Sequence, residues 1–190
     1  MDDQPKKMEI IWAPWRMAYI KPNDSETNET DKITEKDSLN QKELSILPGG
    51  EKDCFLCQAA ADCSEHDGER FVIGRTERTI SVLNRYPYNN GHLLVAPKRH
   101  IARLDLLTPE EWLELSEELT FWTTRIERIM NSDGFNVGLN LGRVAGAGLP
   151  GHLHWHIVPR WNGDTNFFTT IGSTKAIPQS LEALWSVLKR

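Results

Sequence analysis

One short stretch near the C-terminal end of the chain carries three histidines in alternation with large apolar residues. His152, His154 and His156 lie within Gly151–Trp161 and are separated by single apolar residues. A period of two is the strand period, so we expect the imidazoles on one face and the apolar side chains on the other. Neighbours on one face of a strand lie roughly 6.5–7 Å apart. Such a row of rings is typical of a metal site or of phosphate chemistry carried by imidazoles.

The composition limits the classes of protein to consider. A length of 190 residues with 39% hydrophobic residues favours one ordinary domain with a real core. The net charge of −5 offers no electrostatic case for nucleic-acid binding. No apolar run approaches the roughly 20 residues of a membrane helix, and no secretory signal is visible. The cytosol is therefore the expected compartment, where the spacing of Cys54 and Cys57 favours metal or redox chemistry over a structural disulfide.

The chain divides into three parts by composition. Residues 1–20 are dense in large apolar groups and are expected to form an N-terminal arm, packed on the core or a second subunit, or covering part of a ligand pocket. Residues 21–53 are acidic and polar, so little can be buried to offset the entropy of ordering, and we expect a flexible insertion. Residues 54–190 then form the main domain.

Strands and two helices are expected in the main domain. Thr108 and Glu111 match a capping box, with Pro109 at the first helical position, which predicts a helix over Thr108–Met130. A shorter amphipathic helix is expected at about Gln179–Leu188. Short connections favour antiparallel pairing of the early strands. The expected strands besides the histidine strand are Arg70–Ile73, Thr79–Leu83, His92–Pro97 and Phe135–Leu141.

A glycine-rich loop, Gly142–Gly151, directly precedes the histidine row. Glycines allow the backbone to approach a ligand closely, and free N–H groups suit phosphate oxygens, although a wide turn is the simpler alternative. The loop is not a Walker motif, because no Gly-Lys-Ser/Thr follows and it opens no helix. Its position beside the histidines favours contact with phosphate.

The stretch 152–158 resembles the histidine triad signature, in which three histidines alternate with apolar residues. Residues 84–100 are similar to an earlier strand-turn-strand block of that family, and the resemblance covers 54–168. Residues 12–16 and 158–167 further resemble the branch that contains diadenosine tetraphosphate phosphorylases and fragile-histidine-triad-like hydrolases. The resemblance implies an α+β fold with a five-stranded antiparallel sheet, one long helix packed on it and a C-terminal helix. It also implies a homodimer that binds a nucleotide beside the triad strand.

The resemblance assigns roles to individual residues. His154 would attack the α-phosphorus of a dinucleoside polyphosphate, such as diadenosine tetraphosphate, and form a nucleotidyl-histidine intermediate, since a neutral imidazole is nucleophilic. His156 and His92 would bind phosphate or orient the nucleophile. The expected nucleotide-binding positions are Asn84 for the ribose, Asn140 for phosphate, and the backbone of Ala147, Gly148 and Leu149 for the phosphoryl oxygens. Apart from the resemblance, Phe55, Leu56 and Leu83 are apolar residues suited to the walls of a base pocket.

Gly148 departs from the family pattern. Many members carry glutamine or serine at this position, so contact with phosphate there would have to come from the backbone alone. The acceptor that cleaves the intermediate, water or inorganic phosphate, therefore stays open.

The resemblance also implies a structural zinc ion held by Cys54, Cys57, His100 and His152, a donor set that fills a tetrahedral site. Two other functions stay open. In one, the three triad histidines together hold a catalytic zinc. In the other, the protein is a non-catalytic nucleotide-binding or scaffold protein whose acidic insertion recruits a partner.

Overall fold

A computed structural model describes residues 9–12, 44–172 and 174–190 of the chain. The strands are β1 (Glu9–Trp12), β2 (Val72–Arg75), β3 (Thr79–Leu83), β4 (Leu93–Pro97), β5 (Gly134–Leu139), β6 (Trp155–Arg160) and β7 (Thr174–Ile177). The α-helices are α1 (Phe55–Ala61), α2 (Asp67–Arg70), α3 (Pro109–Met130), α4 (Phe167–Ile171) and α5 (Leu181–Leu188). Short 3-10 turns lie at Ser64–His66, Leu104–Leu106 and Arg143–Ala145.

Five of the strands form one antiparallel sheet in the order β2-β3-β4-β6-β5. The predicted α+β fold with a five-stranded antiparallel sheet, a long helix and a C-terminal helix is thereby confirmed. The strand predicted from Arg70 begins only at Val72, because Phe71 has a left-handed φ of 55° that closes α2. Outside this sheet, β1 and β7 pair in parallel.

The histidine strand begins later than the alternation predicts, at Trp155. Just before it, the Leu153 N–H donates to the Ile101 carbonyl at 2.7 Å, so this part of the chain is held by the loop after β4. The histidines and the apolar residues still take opposite sides of the chain, as the alternation predicts. Leu153, Trp155 and Ile157 are all buried in the core cluster beneath α3.

The two faces of the sheet carry separate hydrophobic clusters. The cluster on the α3 and α5 side contains buried residues of both helices, among them Trp122 and Leu184. The cluster on the α1 side contains Leu56 and Leu94. Because Leu94 lies directly opposite His156 in the register of β4 and β6, the triad histidines share the α1 side of the sheet.

The long helix α3 has the predicted N-terminus. The Thr108 hydroxyl accepts from the Glu111 N–H at 3.3 Å, and the Glu111 carboxylate accepts from the Thr108 N–H at 2.9 Å. The apolar residues that recur at three- and four-residue spacing along α3 pack on the sheet, except that Trp112 is half exposed and contacts Trp155 edge to face. The C-terminal helix α5 begins after the N-cap Ser180.

The predicted N-terminal arm and flexible insertion lie mostly outside the described residues. Of the insertion, residues 44–53 are described, and Ile46 packs against the cluster on the α1 side. Of the arm, only β1 is described. No helix in the described ranges is both long and apolar enough to cross a membrane.

Candidate active site and metal centre

His154 lies at the centre of the histidine row with a defined tautomer. Its Nδ1 lies 2.7 Å from the backbone carbonyl oxygen of His152. A carbonyl oxygen only accepts hydrogen bonds, so the proton resides on Nδ1 and the Nε2 lone pair of the neutral ring is left free. The ring is held by a buried backbone group and retains 7% exposure. This arrangement suits a nucleophile.

His92 and His156 form a hydrogen-bonded pair next to His154. The Tyr88 N–H donates to His92 Nδ1 at 3.0 Å, so the neutral His92 ring carries its proton on Nε2. That Nε2 lies 2.9 Å from His156 Nδ1 and donates to it. The proton of the neutral His156 ring is therefore on Nε2, a buried atom for which the described part of the chain provides no hydrogen-bond partner.

Burial keeps both rings of this pair neutral near pH 7. Burial lowers the pKa of His92 to about 3, and repulsion of a protonated His92 by the protonated forms of His156, His154 and Lys175 adds to the effect. Burial, followed by the charge of His154, lowers the pKa of His156 to about 4. Near pH 7 the Nε2–H of His156 is therefore a hydrogen-bond donor on an uncharged ring.

Two cysteines and two histidines meet at the other end of the row. Cys54 Sγ lies 3.3 Å from His152 Nδ1, and Cys57 Sγ lies 3.3 Å from His100 Nδ1. All four ligand atoms lie within 4.8 Å of one another. Cys54, Cys57 and His152 are buried, and both cysteines are free of disulfides.

The surroundings of this cluster suit a metal ion. His152 Nε2 donates to the Pro97 carbonyl at 2.8 Å, and His100 Nε2 lies 3.4 Å from the Glu51 carboxylate. Both contacts favour a proton on Nε2, which leaves each Nδ1 lone pair directed at the cysteines. Burial raises the pKa of Cys54 to about 11, and a cation in the cluster would favour its thiolate. The residues therefore fit a tetrahedral ion such as zinc, with two thiolates and two neutral imidazoles.

The glycine-rich loop provides backbone donors beside the row. Gly142 and Gly146 have φ values of 80° and 88°, which favour glycine. The Ala147 N–H already donates to the Gly142 carbonyl at 3.2 Å. The N–H groups of Gly148 and Leu149 make no hydrogen bond with any described residue, so these two, and not Ala147, are available to a ligand.

The polar residues predicted to bind nucleotide lie near the row. The Asn84 Oδ1 accepts from the Tyr86 N–H at 2.9 Å, and its Nδ2 lies 3.3 Å from His92 Nδ1. Asn140 Nδ2 lies 4.0 Å from the position that a Cβ on Gly146 would take. Both amides are thus close to the predicted phosphate-binding elements.

Phe55 and Leu83, both predicted as walls for the base, lie on opposite sides of the sheet. Phe55 opens α1, on the histidine side of the sheet, and is half exposed. Leu83 pairs with Leu93, and both are buried in the cluster on the α3 side. The structure therefore does not bring Leu83 to the histidines, because its position on β3 directs it to the opposite face of the sheet. We leave Leu83 out of the proposed site.

Tyr88 and Lys175 are neighbours of the site that the sequence patterns did not single out. The Tyr88 ring centroid lies 4.7 Å from that of His92 and 5.7 Å from that of His156. The sequence around Tyr88 predicts only a turn. A pocket of about 320 Å³ lies beside it and is also lined by Lys175. No local pattern marks a lysine on a short strand as part of a site, since its proximity depends on how β7 packs.

The antiparallel sheet, the histidine row and the adjacent Cys/His cluster define a histidine triad protein. The family model described as HIT domain matches residues 65–163, and the chain belongs to this family. It is 36% identical over 179 residues to an AP-4-A phosphorylase of Mycobacterium tuberculosis, covering 94% of this chain and 81% of the relative. The resemblance seen in the sequence is thereby confirmed.

Two further relatives agree with this assignment. A bis(5'-nucleosyl)-tetraphosphatase (asymmetrical) of Schizosaccharomyces pombe is 36% identical over 93 residues, covering 49% of this chain and 50% of the relative. A Zn-bound histidine triad family protein from Mycobacterium smegmatis matches the fold with a TM-score of 0.53 at 27% identity, covering 63% of this chain and 81% of that chain.

Proposed function

We propose that this protein cleaves dinucleoside polyphosphates, such as diadenosine tetraphosphate, through a nucleotidyl-histidine intermediate on His154. The observation that carries the proposal is the 2.7 Å hydrogen bond from His154 Nδ1 to the His152 carbonyl. It leaves Nε2 as the free nucleophilic nitrogen and fixes the plane of the ring. The named activities of the relatives, AP-4-A phosphorylase and nucleosyl-tetraphosphatase, support the same substrate class.

In the first step, the Nε2 lone pair of His154 attacks the α-phosphorus. A nitrogen–phosphorus bond forms, and the bond from that phosphorus to the bridging oxygen breaks, which releases the remainder of the polyphosphate as a nucleotide. The ring becomes positively charged in the adduct, and the His152 carbonyl stabilises this charge through the Nδ1 proton. The charge makes the imidazole a good leaving group for the next step.

In the second step, an acceptor oxygen attacks the phosphorus, the nitrogen–phosphorus bond breaks, and a proton carried by the acceptor is released to solvent. With diadenosine tetraphosphate, water would yield AMP and inorganic phosphate would yield ADP, each beside the ATP released in the first step. The neutral His154 ring is regenerated in both cases. Gly148 offers no side chain to position either acceptor, so the acceptor is decided by groups elsewhere in the site.

Phosphate oxygens would be held by neutral donors. The buried His156 Nε2 proton has no partner among the described residues, and an unsatisfied buried donor costs about 1–3 kcal/mol. A phosphoryl oxygen would remove that cost. The free N–H groups of Gly148 and Leu149 and the amide of Asn140 would add donors where negative charge develops.

Zinc in the Cys54, Cys57, His100 and His152 cluster would have a structural role. It would join the start of α1 to the segment that precedes β6. Since the His152 carbonyl also orients His154, the metal centre would hold the backbone group on which the nucleophile depends.

The homodimer and the cytoplasmic location stay predictions from the sequence.

The three-histidine zinc site is the weaker alternative. His152 Nδ1 faces the cysteines and its Nε2 donates to Pro97, so neither nitrogen is directed at His154. His156 Nδ1 is likewise engaged by His92. A scaffold role alone would not account for the free Nε2 lone pair of His154 or for the buried, unpartnered Nε2–H of His156 among the described residues.

The decisive experiment is turnover of diadenosine tetraphosphate by the wild type and by His154→Ala, with and without inorganic phosphate. Chromatography separates AMP from ADP and so names the acceptor. We expect activity to fall by at least about 10³-fold in the variant, because the covalent route is lost. Full activity of His154→Ala would reject the mechanism, and absence of turnover in a folded, metal-loaded wild type would reject the function.

A further inference from the structure

The face of β6 that carries the histidines continues into a pocket of about 320 Å³. Val158 and Arg160 follow His156 at alternate positions of the strand and line this pocket, together with Asn136 of the neighbouring strand β5. Val158 therefore lies roughly 6.5–7 Å beyond His156 on the same face. Tyr88 lies between the pocket and the histidine row, since it lines the pocket and its ring stacks on His156.

The pocket has two cations, Arg160 and Lys175, and among the described residues only Arg160 has an ion-pair partner. The Arg160 guanidinium forms two hydrogen bonds with the Asp164 carboxylate, at 2.6 and 2.9 Å, and a third with Asn136 Oδ1 at 2.8 Å. Lys175, which is half-buried, makes no side-chain hydrogen bond or ion pair with any residue in the described ranges. Burial lowers the pKa of Lys175, the negative charge of Asp164 opposes this effect only in part, and the positive charge of Arg160 adds to it.

A half-buried ammonium group without a partner is costly to a fold. Lysine side chains are almost always exposed or paired, because removal of their charge from water is not otherwise compensated. The positive charge of Lys175 also reaches the site, since it contributes to the lowered pKa of His92. An anion that occupied the pocket during the reaction would compensate the charge of Lys175, at a place close enough to the histidines to take part in phosphate chemistry.

We propose that Lys175 and the adjoining pocket form a second phosphate subsite, next to the one at His154 and His156. This inference rests on the proposed function and extends it. The anion is a phosphate group, from either of two sources: the inorganic phosphate that accepts the nucleotidyl group, or the part of the polyphosphate chain beyond the scissile bond. Lys175 Nζ is the charged donor, and the Asn136 amide is the neutral donor.

The test compares Lys175→Met and Lys175→Gln, which remove the charge, with Lys175→Arg, which keeps it. Arg128→Met is the matched control, because it removes one positive charge from an exposed position of α3, on the opposite side of the sheet. Thermal melts of all variants establish that they fold. The neutral Lys175 variants are expected to melt at or above the wild-type temperature, since they remove a half-buried charge that no described residue neutralises.

Steady-state kinetics then distinguishes the two sources of phosphate. If the anion is the acceptor, both neutral variants raise the KM for inorganic phosphate by about tenfold or more, the loss of one charge-assisted hydrogen bond, and leave the KM for diadenosine tetraphosphate unchanged. If the anion is the distal chain, the KM for diadenosine tetraphosphate rises by a similar factor, and that for diadenosine triphosphate rises less. Lys175→Arg restores most of the loss in either case.

The proposal is overturned if both neutral variants match Arg128→Met within about twofold in both KM values. Calorimetric titration of tripolyphosphate into the wild type and Lys175→Met gives a test that does not need turnover. Weaker binding to the variant supports the subsite even if the wild type proves inactive. Equal binding rejects the subsite, and it leaves the chemistry at His154 to be judged by His154→Ala.

Discussion

The Nε2 atom of His92 lies 2.9 Å from the Nδ1 atom of His156, although 64 positions separate the two residues in the sequence. Because the Tyr88 N–H occupies the other nitrogen of His92, the hydrogen bond between the rings has a single direction for the neutral pair. It places a proton on the His156 nitrogen that the protein leaves unpartnered among its described residues. One backbone N–H thus sets the protonation of two side chains.

Replacement of His92 is expected to affect catalysis through His156. In His92→Ala, His156 loses the donor that holds its ring and its tautomer, so kcat should fall about 10- to 100-fold, as expected for a misplaced catalytic group. The loss should be smaller than for His154→Ala. Thermal melts of both variants control for folding. An unchanged kcat in a folded His92→Ala protein would contradict this role.

The lowered pKa values of His92 and His156 predict how stability depends on pH. Both folded-state values, about 3 and about 4, lie below the ordinary 6.5, so the unfolded chain binds more protons as the pH falls below 6.5. The stabilisation by neutral rings is complete above pH 6.5 and is lost progressively toward pH 3. The free energy of unfolding should fall by at most about 1.4 kcal/mol per pH unit for each histidine.

Urea unfolding at several pH values between 7.5 and 4.5 measures this slope. His92→Gln serves as the comparison, because it removes one titrating ring and leaves the metal ligands in place. The slope of the variant should be smaller by close to one proton. Equal slopes for the two proteins would show that His92 does not take up a proton on unfolding.

Removal of one cysteine is expected to abolish metal binding. Cys57 Sγ lies 3.3 Å from His100 Nδ1 and 3.6 Å from His152 Nδ1, so Cys57→Ser removes a central ligand. Zinc content, measured by mass spectrometry, should fall from about one ion per chain to almost none, with a melting temperature lower by roughly 5 °C or more. Cys63→Ser, at an exposed cysteine outside this cluster, should keep its zinc. Retention of zinc by Cys57→Ser would exclude the assigned ligand set.

Two glycines of the loop should respond differently to alanine. A Cβ on Gly148 would meet nothing within 4 Å, and the substitution keeps the backbone N–H, so kcat/KM should stay within about threefold of the wild type. Gly146 has a φ of 88°, which strains any side chain, so Gly146→Ala should cost about 1–2 kcal/mol and reduce activity more. Kinetics and melting curves of both variants check this order, and the reverse order would refute the backbone role.

The regular elements were largely predictable because their signals are local. The capping box at Thr108 and Glu111 marks the start of α3 to the residue. The alternation around His154 assigns the imidazoles and the apolar residues to opposite sides, even where the chain precedes β6. Both signals depend only on the period of the backbone and on contacts within one turn.

The candidate site was predictable only in part. The row of His152, His154 and His156 follows from the alternation, whereas their roles, His92, His100 and the cysteine ligands follow from the resemblance to a family. Leu83, predicted as a wall for the base, lies on the face of the sheet opposite the histidines, because an apolar residue in an apolar strand carries no mark of the face that it takes. Tyr88 and Lys175 carry no local signal of a site at all.

The sequence by itself determined the row of imidazoles, the long capped helix and the antiparallel class of the sheet, since these depend on the spacing of neighbours. Only the tertiary structure decided which groups meet the row. Cys54 and His152 are 98 positions apart and lie 3.3 Å from each other because α1 packs on the same side of the sheet as the histidines. The pairing of β4 with both β3 and β6 brings the loop between β3 and β4, and with it Tyr88, onto His156. The packing of β7, a strand of the second sheet, places Lys175 in a pocket without a counter-ion among the described residues.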